Sequence, residues 1–154
     1  MRENYCDGLG NCLPVCPVDA ISFVEKDERT KTLQATSNQW PLQIKLVSPN
    51  APFFNDADLL VAADCAAFAC RSFHDDYMKG KITIIGCPKL DATDYSEKLG
   101  EILRHGGIKS ITVARMEVPC CGGLEYAVKA AMQNSSEFVE YDVVTISTDG
   151  RIIL

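Results

Sequence analysis

No hydrophobic run in this sequence approaches the roughly 18 residues that a membrane span needs. The stretch from Leu59 to Ala63 is typical of its short apolar segments. No basic-then-apolar leader opens the chain, so a cytoplasmic protein without a membrane partner is expected. Positive charge is in short supply, with 15 Lys and Arg against 21 Asp and Glu. Nucleic-acid binding needs a positive footprint to displace counterions, and this balance argues against it. Only two histidines are present, and no Ser-His-Asp logic is visible around them. There is no G-x-G-x-x-G and no phosphate loop, so a nucleotide cofactor is unsupported. Nor does any C-x2-C pair occur. Its absence removes the zinc ribbon, the thioredoxin motif and c-type haem attachment. Internal repeats and low-complexity tracts are missing too. With 47% hydrophobic and 23% charged residues in 154, the chain suits one compact domain with a small appendage.

What is abundant is cysteine, at eight residues. In a reducing compartment clustered thiols more often hold metal or do redox work than form disulfides. The plain alternative is packing, since free cysteine is among the most buried residue types. Most of the eight, however, stand beside Gly, Pro, Asp or another Cys rather than inside apolar runs.

Along the chain, a cysteine loop leads into a short strand at Ala20–Val24, and residues 25 to 39 are polar. Alternation at Leu42–Leu46 predicts a strand with one exposed face. Trp40, at its start, is expected in the core. Strands are then predicted at Leu59–Ala62, Lys81–Ile85, Ile108–Ala114 and Tyr141–Ser147. Helices are predicted at Cys65–Met78, Ser96–Arg104 and Leu124–Met132. A turn at Thr148–Arg151 leads to Ile152–Leu154. Strands alternating with helices argue a parallel sheet with helical crossovers.

On that layout Cys65, Cys87, Cys120 and Cys121 all follow strands. In a parallel sheet such positions share the carboxyl edge, where open α/β sheets place their functional sites. Adjacent strands lie about 4.8 Å apart, so thiols at neighbouring strand ends can converge. By ligand type these four suit zinc or an iron–sulfur cluster equally. Cys120-Cys121 is an awkward pair for one metal, because successive side chains diverge, and one of the two is open to a structural role. Cys70 is expected to be packed within its helix. With Cys65 it makes C-x4-C, but Phe73 stands where a plant-type ferredoxin pattern would need its next cysteine. His74 is expected at the surface, and His105 near a helix carboxyl end, where a cation suits the macrodipole.

The strongest signal is Cys6-Asp7-Gly8-Leu9-Gly10-Asn11-Cys12-Leu13-Pro14-Val15-Cys16-Pro17. The bacterial ferredoxin run is C-x2-C-x2-C-x3-C-P. Its first, third and fourth cysteines are present here, and Leu9 occupies the second. With this loop, the chain resembles the bacterial and archaeal ferredoxin-type iron–sulfur proteins that join a two-cluster ferredoxin module to a cysteine-bearing α/β domain. Further matches are Trp40–Val47, Ala62-Ala63-Asp64-Cys65, Ile85–Asp91 and Met116–Leu124. The resemblance implies iron–sulfur ligation and electron transfer. It divides the chain into a partial ferredoxin-like segment (residues 1–24), a linker (25–40) and an α/β domain with strand-end cysteines (41–154).

Members of that family carry a complete four-cysteine run upstream of this loop. In a two-cluster ferredoxin the fourth cysteine of each run binds the other cluster. Cys6, Cys12 and Cys16 are therefore compatible with a lost upstream run, with a three-iron or labile cluster of their own, or with a vestigial loop.

The expected fold is α/β, a Rossmann-like parallel sheet with the partial ferredoxin-like loop attached. The expected function is single-electron transfer to or from a redox partner protein, as a carrier rather than an enzyme. A 4Fe-4S or 3Fe-4S cluster is the expected cofactor, with zinc as the alternative. The candidate ligands are Cys6, Cys12, Cys16, Cys65, Cys87, Cys120 and Cys121. Two other classes stand beside this reading: a zinc-stabilised interaction domain, and a thiol-based redox enzyme using Cys120-Cys121.

Overall fold

A computed structural model describes residues 39–153, which belong to one compact unit, Ala35–Leu154. Cys6, Cys12, Cys16, the strand expected at Ala20–Val24 and most of the linker lie outside the described residues.

Five strands form one sheet: β1 (Asp58–Ala63), β2 (Ile82–Gly86), β3 (Ser110–Met116), β4 (Glu140–Ile146) and β5 (Ile152–Ile153). Their order is β2-β1-β3-β4-β5. The first four are mutually parallel, and β5 turns back antiparallel on β4. The predicted α/β class and parallel sheet are therefore present. β1 is apolar almost throughout, as a strand covered on both faces must be.

Two long helices, α3 (Ser96–Gly106) and α4 (Gly122–Ser135), pack on each other. They cover the face that carries Leu59, Val61 and Ile111, meeting it with Leu99, Leu103, Val128 and Ala131. Side chains alternate along a strand, so Leu60, Ala62 and Ala114 serve the opposite face. α3 uses Leu99, Ile102 and Leu103 for burial and ends at Gly107 in the left-handed region. His105 lies in its last turn, as expected from the dipole argument. Each fully buried Leu or Ile of this core contributes about 1.5–3 kcal/mol.

Three expectations are corrected. Residues 42–46 form no strand. A single bridge joins Gln43 to Ile85, and the chain then turns, with the Val47 amide donating to the Gln43 carbonyl at 3.0 Å. Ile44 and Val47 are the buried pair, a spacing of three, while Leu46 is exposed. A turn buries this sequence better than alternation does. Next, the helix expected over 65–78 is broken. Only α1 (Ala66–Ala69) is regular, Cys70 is extended, and a π-helical turn follows at His74–Met78. The break lets both Cys70 and Phe73 enter the core. Finally, Trp40 is 82% exposed rather than buried.

The outer edge of β2 is nevertheless closed. Gln39 aligns its side-chain amide with the Thr83 backbone, donating to the carbonyl and accepting from the amide, both at 2.7 Å. One primary amide thus satisfies two ladder groups that an edge strand leaves open.

Candidate functional site

The carboxyl ends of β1, β2 and β3 share one edge, and the connections leave β1 in opposite directions. From β1 the chain crosses to β2 on one side, then returns past β1 to β3 on the other. Such a switch point opens a crevice at the strand ends. The segments that follow these three strands are Asp64-Cys65, Cys87-Pro88 and Pro119-Cys120-Cys121.

The first segment is anchored by its backbone. The Asp64 amide donates to the Gly86 carbonyl at 3.2 Å, and Gln43 donates to the Asp64 carboxylate at 3.1 Å. Cys65 then starts α1 and is exposed.

The second segment is shaped by Pro88, which opens α2 (Pro88–Asp91), a position that needs no amide hydrogen. Cys87 caps that turn: its sulfur accepts from the Leu90 amide at 3.5 Å. Beneath it lies Tyr95, buried, with its hydroxyl donating to the Asp91 carboxylate at 2.5 Å. Burial first, then the Asp91 hydrogen bond and the charges of Asp91 and Asp64, hold the Tyr95 phenol far above its ordinary ionisation range. It stays a neutral donor.

The third segment leaves β3 and makes a tight helical turn, Pro119–Cys121, that runs into α4. Cys120 is exposed and Cys121 is buried. Burial is the main force raising the Cys121 thiol above its usual range. Neighbouring Cys120 and Cys87 push the same way, and a hydrogen bond with the Met116 backbone opposes them. The second and third segments touch, since a β-carbon on Gly123 would come 3.1 Å from the Pro88 side chain.

Cys87 and Cys120 both lie near enough to Cys121 to act on its thiol, so these three thiols are brought together. Among the described residues no three His, Cys, Asp or Glu side chains are arranged to hold a metal ion. Cys70 is buried among apolar neighbours, as expected. Sequence reasoning missed Tyr95, Gln43 and Asp64. The available signal was Gly86, a glycine closing a β-branched strand, which marks close approach by another group.

Residues 51–154 match the Rossmann-like domain. The chain belongs to that family. An uncharacterized protein of Archaeoglobus fulgidus is 34% identical over 115 residues, covering 74% of this chain and 81% of the relative. No solved structure matches the chain. Outside the Rossmann-like domain, residues 2–22 match the 4Fe-4S binding domain. That match contains Cys6, Cys12 and Cys16, three thiols and no histidine. Thiolates are the usual holders of iron–sulfur clusters, so this donor set suits one, with Leu9 at the place of a fourth ligand.

Proposed function

We propose that this is an electron-transfer protein whose iron–sulfur cluster is held by Cys6, Cys12 and Cys16. The observation that carries the reading is the 4Fe-4S binding match at residues 2–22, within which all three cysteines fall. When bound, such a cluster supplies a reversible one-electron step. The chain's own residues supply the rest, with the thiolates of Cys6, Cys12 and Cys16 to hold iron. The excess of acidic residues favours docking to a positively charged redox partner protein, with the cytoplasm as the setting for the free thiols. The order of the matching segments supports membership of the ferredoxin-type proteins with a cysteine-bearing α/β domain.

The test is a spectroelectrochemical titration of anaerobically purified protein. A visible chromophore that bleaches on reduction and returns on reoxidation, and that Cys12→Ser abolishes, is the expected result. A colourless protein holding zinc, or a chromophore indifferent to all three cysteines, overturns the proposal.

A further inference from the structure

Two of the thiols at the carboxyl edge meet. Successive side chains are expected to diverge, yet in the tight turn Pro119–Cys121 the Cys120 and Cys121 thiols share a hydrogen bond. The turn is fixed by its backbone. The Cys121 amide donates to the Val118 carbonyl at 3.1 Å, and the Gly122 amide donates to the Pro119 carbonyl. Cys120 is exposed, and Cys121 lies inward of it. Beside the pair the approach is open, since a β-carbon on Gly122 would meet nothing within 4 Å. The pair also stands at the amino end of α4, a helix of 14 residues for which Cys121 is the capping position. The positive end of a helix favours thiolate over thiol and stabilises negative charge placed there.

Ligand number decides what such a pair can hold. Structural zinc takes four ligands, and among the described residues no group of three His, Cys, Asp or Glu side chains is arranged to hold a metal. Cys87 lies near, but its sulfur caps α2 by accepting from the Leu90 amide at 3.5 Å. Thiolates select soft cations, and Cu(I), closed-shell and singly charged, is satisfied by two of them. We propose that Cys120 and Cys121 hold one Cu(I) ion as a pair of thiolates. Two S–H bonds break, two Cu–S bonds form, two protons leave to solvent and no electron moves. The complex carries one negative charge, which the amino end of α4 stabilises.

The proposal does not rest on the iron–sulfur cluster. Full-length reduced protein is held anaerobically with Cu(I) buffered by bicinchoninate, pulsed with N-ethylmaleimide and digested with trypsin. Cleavage after Arg115 and Lys129 isolates Cys120 and Cys121 in residues 116–129, and Cys87 falls in residues 82–89. Without Cu(I) the exposed Cys120 is modified rapidly. With Cu(I) its modification is expected to be suppressed, while Cys87 is modified as before. Cys121→Ser is expected to weaken this protection by more than the roughly 10–100-fold that loss of a group supporting a metal ligand costs. Cys87→Ser is expected to retain it. The wild-type pattern remains a test even where Cys121→Ser does not fold. The proposal is overturned if Cys120 is modified equally with and without Cu(I), or if Zn(II) at the same free concentration protects it as well. It is equally overturned if protection is lost in Cys87→Ser. Cys6, Cys12 and Cys16 fall in other peptides and the buffer holds free Cu(I) constant, so loss of a cluster changes none of these readings.

Discussion

The hydroxyl of Tyr95 lies so close beneath Gly86 that a β-carbon there would stand 2.7 Å from the phenol oxygen. Gly86 closes β2 and hands the chain to Cys87, so this contact sets the height of the thiol-bearing turn above the sheet. Gly86→Ala is expected to destabilise the domain by about 1–3 kcal/mol, as overpacking of a close-fitted site does. A urea unfolding midpoint measures it. A midpoint equal to wild type contradicts the packing described.

Tyr95 also gives a pH signature. Its ionisation is held above the value of an unfolded tyrosine, near 10. Between those two values the unfolded chain gives up its proton and the folded one keeps it. Tyr95 therefore contributes stability that is whole below pH 10 and declines as pH rises beyond it. Tyr95→Phe is expected to flatten the fall in stability between pH 9.5 and 11 while losing about 1 kcal/mol at pH 8 with the Asp91 hydrogen bond. Equal slopes for the two proteins in chemical denaturation across that range would falsify this assignment.

The β2 edge yields a test of hydrogen bonding. Gln39→Ala leaves the buried Thr83 amide and carbonyl without the side-chain amide that serves both. A loss of about 1–3 kcal/mol is expected, the desolvation penalty of unmade buried bonds. Amide exchange at Thr83 should quicken with it. Unchanged exchange there contradicts the edge-closing role.

The turn between β4 and β5 rests on a glycine at φ +87°, Gly150, whose missing β-carbon would collide with the Ala69 carbonyl oxygen. Gly150→Ala meets two penalties at once, roughly 1–2 kcal/mol for the left-handed backbone and more for the collision. The expected result is a melting point several degrees below wild type. A variant as stable as the wild type contradicts the turn as drawn.

These contacts show where the sequence was readable. Long-period apolar signals survived folding: Leu99, Ile102 and Leu103 became the buried stripe of α3, and the β-branched runs became β2 and β3. Cys65, Cys87, Cys120 and Cys121 follow the carboxyl ends of parallel strands, as the order of apolar and β-branched runs implied. Cys120 is exposed and Cys121 is buried. What was unreadable depended on tertiary partners. Leu42–Leu46 alternates like a strand, yet Ile44 and Val47 bury more together in a turn. Trp40 has the chemistry of a core residue but stands exposed. The Gln39 amide on Thr83 spans 44 positions, a pairing that no local pattern announces.

The most direct test of the central claim is the iron, acid-labile sulfide and zinc content of the anaerobically prepared full-length protein and its Cys6→Ser, Cys12→Ser and Cys16→Ser variants. Iron and sulfide present in comparable amounts in the wild type, and lost together from the variants, are the predicted result. Zinc in place of iron, or iron and sulfide that persist when these cysteines are removed, would contradict the account.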